Sequence, residues 1–198
     1  MKILICGVGA IGSNLVRYLV PDLKGQHEIT VLDMDTVEER NVTPGTQWYT
    51  PDQIGLPKVE AVQFNAYNTF QREIEIRNEK FTKDLTIHDY SLVVDCFDNQ
   101  EARQAIESAL HMDKVMRWGD TRVLHIGFSD QFTFEIEWDE WYQVPTDITT
   151  GMDICEMPGA AGFVGSVASL GALAVEKYIW ENDKIRVLGG KYHRSFIT

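Results

Sequence analysis

Three glycines near the start of the chain have a spacing that suits a phosphate. Gly7, Gly9 and Gly12 follow the apolar run MKILIC, and a helical pattern begins directly after them. The first glycine permits a sharp turn, the second lets backbone approach a phosphate, and the third lets a helix lie close to a sheet. The helix start also offers free N–H groups to an anion. The motif predicts a nucleotide site, although such glycines also occur in purely structural turns.

Two acidic residues follow apolar runs further along the chain. Asp33 lies in ITVLDMD, at about the distance at which nucleotide-binding folds place a carboxylate on the ribose hydroxyls. Asp98 lies near the end of SLVVDCFDN and is a suitable residue to hold a metal ion, or else, with Asn99, to cap the helix that follows. In a parallel sheet these residues would meet Gly7 at the carboxyl ends of the strands.

A long polar stretch separates the second predicted strand from the next helix. It begins at Asp35, is rich in proline and glycine, and ends at Lys58. A loop of this length inside a compact domain is usually functional. Lys58 is a cation that could reach a phosphate, although a lysine in a loop is most often solvated.

The elements that must position these residues alternate between strand and helix. The first helix carries Leu15, Val16, Leu19 and Val20 on one side, and Pro21 and Gly25 predict the turn after it. A helix over Lys58–Phe70, a strand in REIEIRN, a strand in SLVVD and a helix from about Gln100 to Met112 follow. Alternating strands and helices predict a doubly wound, Rossmann-like α/β fold with a mostly parallel sheet.

The C-terminal half has a different pattern. VMRWG, TRVLHIGF and QFTFEIEWDEWYQV alternate apolar with polar residues, which predicts antiparallel strands added to the sheet. Residues 143–158 indicate a crossing loop. AAGFVGSVASLGALAVEKYIW then predicts a helix whose small residues allow close packing, with a membrane span as the weaker alternative. KIRVLGG indicates a final strand.

Composition limits the class of protein. A chain of 198 residues that is 44% hydrophobic and has no linker is expected to form one domain over residues 1–198. Its net charge of −12 argues against nucleic acid or an anionic membrane as partner, although an acidic surface also simply favours solubility. Three cysteines and no secretory leader predict a reduced, cytoplasmic protein without disulfides.

Together, GVGAIGSN, LDMDTVEERN, IGLPK and VVDCFDNQEAR closely resemble the ThiF, MoeB and HesA family, the adenylating domain of ubiquitin-like-protein-activating enzymes. The resemblance resumes at CEMPGAAGFVGSVASLGALAVEKYI. It implies an ATP-dependent and magnesium-dependent adenylyltransferase, usually dimeric. Such enzymes activate the C-terminal carboxylate of a small ubiquitin-like protein or peptide as an acyl-adenylate and release pyrophosphate.

The resemblance also implies residue roles. Gly7, Gly9 and Gly12 would line the phosphates, Asp33 and Asp35 would belong to the nucleotide site, Asn41 and Lys58 would face the phosphates, and Asp98 would hold magnesium. Acyl-phosphate chemistry brings two anions together, and a carboxylate-bound metal with a fixed ammonium would offset their repulsion.

The chain departs from the family pattern in two places. The Arg-Gln pair that normally follows the asparagine is missing after Asn41, and Arg40 stands on its other side as a possible substitute. The paired Cys-x-x-Cys motifs of a structural zinc site are also missing, so no zinc is predicted. Cys155, before the small-residue helix, is either an acceptor of the activated carboxylate or an unreactive loop thiol. Cys6 and Cys96 are expected to be buried in strands.

Three functions remain open from the sequence. Adenylation is favoured by Asp33, Asn41, Lys58 and Asp98, and a non-catalytic subunit of a heterodimer is favoured by the missing arginine. A nicotinamide-dependent oxidoreductase is supported only by the glycines and Asp33. Dimerisation is expected, with the aromatic stretch Phe132–Tyr142, including Trp138 and Trp141, as either interface or core.

Overall fold

The structure, a computed structural model, describes residues 1–23, 25–42, 45–116, 120–128, 133–143 and 159–188. The strands are β1 (Lys2–Cys6), β2 (Glu28–Leu32), β3 (Glu75–Arg77), β4 (Leu92–Asp95), β5 (Arg122–Phe128), β6 (Phe134–Trp138) and β7 (Val187–Leu188). The helices are α1 (Ala10–Asp22), α2 (Glu39–Val42), α3 (Lys58–Phe70), α4 (Gln100–Met116) and α5 (Ala160–Glu181), with a 3₁₀ turn at Pro51–Gln53.

Within these described ranges the strands form one sheet in the order β3-β2-β1-β4-β5-β6-β7. The first five in this order are parallel, and β6 and β7 join the sheet antiparallel. The chain runs outward from β1 to β3 and then returns to the other side of β1, so the strand order reverses between β1 and β4. Ligands of such sheets bind in the crevice at this reversal. The predicted fold class is confirmed.

Both faces of the sheet are covered. Ile3 and Ile5 of β1 belong to the larger core, on the face of α1, α3 and α5. Leu4 and Cys6 point to the other face, where Ile106 of α4 packs. Because successive side chains of a strand alternate between faces, a strand covered on both sides must be apolar throughout, which explains the unbroken run in β1.

Several predicted elements need correction. Pro21 lies inside α1 and does not end it; in the last turn its missing N–H costs at most one helical hydrogen bond. α4 extends to Met116, because the buried stripe of Ile106, Leu110 and Asp113 continues the helical period. Val115 and Met116 of the predicted strand VMRWG therefore belong to α4, and its remaining residues lie outside the described ranges. β5 pairs parallel with β4, so the antiparallel additions begin only at β6.

The small-residue helix packs as predicted. By length and composition α5 could cross a membrane, yet half of its apolar window is buried inside the protein. A Cβ on Gly171 would lie 2.5 Å from Ile126 Cδ1, so the glycine allows the helix to approach β5 closely. In the described part of the aromatic stretch, Trp138 and Tyr142 are buried in the core and Trp141 is exposed. Phe132 and the predicted crossing loop beyond Gln143 lie outside the described ranges.

Candidate functional site

The three glycines build the turn between β1 and α1. Gly7 has a φ of 82°, a conformation that favours glycine, and its N–H donates to the Leu32 carbonyl at 2.8 Å. A Cβ on Gly12 would lie 1.9 Å from the Gly7 carbonyl oxygen, so no side chain fits there. Among the described residues, a Cβ on Gly9 would meet no atom within 4 Å, and no side chain caps the start of α1. An open backbone approach and uncapped helical N–H groups suit a phosphate.

Asp33 directly follows β2 and is joined to the glycine turn. Its carboxylate accepts hydrogen bonds from the Val8 N–H at 2.8 Å and from the Asp35 N–H at 2.9 Å. Burial raises the pKa of Asp33, although these two N–H groups and nearby Lys58 favour the charged form. The predicted ribose carboxylate therefore lies beside the predicted phosphate loop.

Lys58 begins α3 and returns to the end of β2. Its N–H donates to the Asp35 carbonyl at 2.9 Å, and its ammonium Nζ donates to Asp35 Oδ2, also at 2.9 Å. The Lys58 side chain is largely buried, so the ion pair with Asp35 holds the ammonium in one place. The structure therefore brings together Lys58 and Asp35, which were both predicted to belong to the site.

Described residues of the stretch between Asp35 and Lys58 contact the glycine turn and the helix after it. Asn14 Nδ2 donates to the Thr46 carbonyl at 2.8 Å, and the Tyr49 hydroxyl donates to the Val8 carbonyl. The predicted loop contains α2 and the 3₁₀ turn, so it is partly helical. Its closeness to the glycines supports the interpretation that it is functional.

Asn41 and Arg40 are neighbours in the sequence but differ in their exposure to solvent. Asn41 is buried, and its Oδ1 accepts a hydrogen bond from the Glu38 N–H at 2.8 Å, which fixes the start of α2. Arg40 is exposed, and its Nε donates to Glu38 Oε2 at 2.6 Å. The guanidinium considered as a substitute for the family arginine is thus engaged at the surface.

Asp98 lies between β4 and α4, in a segment that touches the glycine turn. A Cβ added to Gly7 would lie 3.2 Å from the carbonyl group of Cys96, and a Cβ added to Gly12 would lie 3.5 Å from the Cys96 Cβ. Asp98 itself is exposed. The cap of α4 is Asn99, whose Oδ1 accepts the Ala102 N–H at 2.9 Å, so Asp98 is left available to a ligand.

A buried polar cluster beside this segment was missed by the sequence interpretation. His125 Nδ1 lies 2.8 Å from Asp95 Oδ2 and its Nε2 lies 2.9 Å from Glu107 Oε1, the latter without hydrogen-bond alignment. The Tyr142 ring stacks on the imidazole at 3.6 Å. Burial opposes a charge on His125, but the two carboxylates outweigh it and raise its pKa. The available signal was a charged residue, Asp95, ending an apolar run, since such a residue needs a buried partner.

The cysteines are placed differently from one another. Cys6 is buried in β1 as predicted, whereas Cys96 is only half-buried and lies one residue after β4. Burial raises the pKa of both thiols, so neither is an activated nucleophile. Cys155 lies outside the described ranges. Among the residues that are described, no group of three or more His, Cys, Asp or Glu side chains forms a metal cluster.

Solved structures share this fold. A crystal structure of E. coli MccB with ATP has a TM-score of 0.67 at 17% identity, over 92% of this chain and 57% of that one. E. coli tRNA N6-threonylcarbamoyladenosine dehydratase, TcdA, in complex with ATP has a TM-score of 0.52 at 21% identity, over 66% of this chain and 52% of that one.

Curated relatives include an adenylyltransferase and a ubiquitin-like modifier-activating enzyme. The molybdopterin-synthase adenylyltransferase of Haemophilus influenzae is 25% identical over 190 residues, which are 91% of this chain and 76% of that enzyme. Ubiquitin-like modifier-activating enzyme 5 of Drosophila persimilis is 31% identical over 146 residues, 66% of this chain and only 37% of that enzyme. Residues 1–189 match the model of the ThiF family, and the chain belongs to that family.

Proposed function

We propose that this chain is an ATP-dependent adenylyltransferase that converts the C-terminal carboxylate of a small ubiquitin-like protein or peptide into an acyl-adenylate and releases pyrophosphate. The observation that carries the proposal is that the start of α1, Asp33, Lys58 and the Asp98 segment lie along the carboxyl ends of the neighbouring strands β2, β1 and β4, beside the reversal. The names of the ThiF-family relatives support the same reaction.

Each element has a task in this reaction. Gly9 and the N–H groups that follow it receive the phosphates, because a helix N-terminus favours negative charge. Asp33 accepts hydrogen bonds from the ribose and so orients the nucleotide. Lys58 reduces the repulsion between the incoming carboxylate and the α-phosphate. Pyrophosphate leaves as the carboxylate oxygen bonds to phosphorus.

Asp98 fits a magnesium ion. Magnesium keeps several waters and needs only one or two protein carboxylates beside the phosphates, so a metal cluster within the protein is not required. Asp98 is exposed and does not cap α4. The ion would neutralise charge on the triphosphate.

One observation favours a second candidate, a non-catalytic subunit of a heterodimer. No arginine or lysine occurs over residues 42–57, and Arg40 is paired with Glu38 at the surface. A partner chain, either a second copy or a different subunit, would then complete the phosphate site. A mass of one chain by light scattering would contradict the proposed dimer.

The free described cysteines, Cys6 and Cys96, support a reducing, cytoplasmic location.

Calorimetric titration with ATP and magnesium, beside an identical titration with NAD(H), tests the nucleotide site. We expect ATP to bind, and Asp98→Ala to lower the affinity for magnesium-ATP while leaving the fold intact. ATP–pyrophosphate exchange that depends on an added ubiquitin-like protein would establish the reaction. ATP binding without exchange would favour the heterodimer subunit, and binding of NAD(H) alone would refute the proposal.

A further inference from the structure

We propose that Arg103 is a positioning residue that holds the segment carrying Asp98 in the conformation that presents this carboxylate to a magnesium-bound nucleotide. The inference rests on the function proposed above, and it assigns the first helical turns of α4 a role in the site.

The guanidinium of Arg103 is buried, with 5% of the residue exposed, and it contacts four parts of the chain, one of which is Glu135 of β6, whose Oε1 lies 3.5 Å from Nη1. Its Nε donates to the Phe97 carbonyl at 2.7 Å, next to Asp98. Nη1 donates to the Tyr142 hydroxyl at 2.8 Å, and Nη2 donates to the Ile126 carbonyl at 3.2 Å. A planar guanidinium makes such a fixed set of bonds, which an ammonium cannot reproduce.

The rest of the segment is fastened by its own backbone and neighbours. Cys96 N–H donates to the Cys6 carbonyl at 2.9 Å, and Phe97 N–H donates to Asp95 Oδ1 at 3.0 Å. Asn99 is held through its side chain as the cap of α4. Between the two anchored residues Phe97 and Asn99, Asp98 is exposed, so its direction is set by the backbone on either side.

The bond from Arg103 fixes the Phe97 carbonyl, and this carbonyl belongs to the peptide group that leads into Asp98. Without the bond, that peptide can rotate and the carboxylate loses its fixed direction. Residues that orient a metal-binding carboxylate typically change metal affinity by about 10- to 100-fold when they are substituted.

Arg103→Lys tests the role, with Arg122→Lys as the matched control. Arg122 pairs with Asp139 and Glu140 at the start of β5, the opposite end of the sheet from the site. We expect Arg103→Lys to raise the magnesium concentration needed for ATP binding by about tenfold or more, with little change in binding of ATP in EDTA. In an Asp98→Ala background the same substitution should have no further effect, whereas a merely structural role would give additive losses.

Hydrogen exchange gives a readout that does not depend on activity. Arg103→Lys should speed exchange of the amides of residues 96–99, and Arg122→Lys should not. Unchanged exchange there, or additive effects with Asp98→Ala, would overturn the positioning role. If the wild-type chain binds no ATP, the proposed function fails and this inference fails with it. Faster exchange of residues 96–99 in Arg103→Lys would in that case show only that Arg103 anchors the segment.

Discussion

The ammonium of Lys58 lies 2.9 Å from the carboxylate of Asp35, and 10% of the lysine side chain is exposed against 56% of the aspartate side chain. The positive charge is thus held inside the site while its partner remains in contact with water. An exposed carboxylate is well solvated, so it can share the ammonium with a phosphate at small cost.

Lys58→Met should weaken ATP binding by about 1–3 kcal/mol, the range of a lost charge-assisted hydrogen bond. Binding of adenosine should be unchanged, because adenosine offers no phosphate. Calorimetry with both ligands measures the difference, and Lys177→Met, in the α5 ion pair with Glu181, is the control. An equal loss for both ligands would argue that Lys58 supports the fold rather than the phosphate.

Gly9→Ala should fold normally and lose affinity for ATP by at least about tenfold, or about 1.4 kcal/mol. The added methyl meets no protein atom within 4 Å and occupies the approach to the backbone. Gly12→Ala is the contrasting variant: its methyl would lie 1.9 Å from the Gly7 carbonyl oxygen, and we expect the free energy of unfolding to fall by about 3 kcal/mol or more. Thermal melts and ATP titrations separate the two effects. ATP binding by Gly9→Ala at wild-type strength would remove the phosphate from this turn.

Asp33→Asn should reduce the preference for ATP over 2′,3′-dideoxy-ATP. A ribose hydroxyl bonded to a carboxylate contributes about 1.5–3 kcal/mol, and the bond to a neutral amide is weaker. Competition binding of the two nucleotides measures the preference. If the preference is the same in both proteins, Asp33 serves only the backbone N–H groups of Val8 and Asp35.

Stability should fall as the pH rises past neutrality because of His125. Its pKa in the folded protein is raised above the ordinary value of 6.5, so the folded state holds the proton more tightly than the unfolded state. The stabilisation by protonated His125 is fully present below pH 6.5, the ordinary pKa of histidine, and it is lost as the pH rises through the raised pKa of the folded protein. Urea denaturation at about pH 6 and about pH 9 should therefore show a decline that His125→Gln flattens. The exposed His88→Gln should keep the decline, and a flat profile in the wild type would contradict the prediction.

The elements that position the site could be predicted because their signals are local. The apolar run of β1, the helical period of Lys58–Phe70 and the glycine spacing are all visible within a few residues of sequence. The sequence also predicted that Gly7, Asp33 and Asp98 would converge, since parallel strands bring their carboxyl ends to one edge. The structure joins Asp33 to the glycine turn through Val8 and brings Cys96, two residues before Asp98, beside Gly7.

The buried cluster could not be predicted in the same way. Asp95 and His125 are 30 positions apart and Arg103 and Tyr142 are 39 apart, and no periodicity reports a pairing between distant side chains. His125 fits the alternating pattern of β5. Its apolar neighbours in the sequence, however, do not indicate which carboxylates will face it. Lys58 was recognised as a site residue, yet its pairing with Asp35 required the return of the chain from the 3₁₀ turn to α3.

The contact between the glycine turn and the segment after β4 has a consequence for folding order. Cys96 N–H donates to the Cys6 carbonyl directly before the turn, and this contact closes a large loop of chain that contains β2, α3 and β3. Contacts so far apart in sequence form slowly. During synthesis the glycine turn leaves the ribosome before the segment after β4, so the contacts between the two can form only after the middle of the chain has been made.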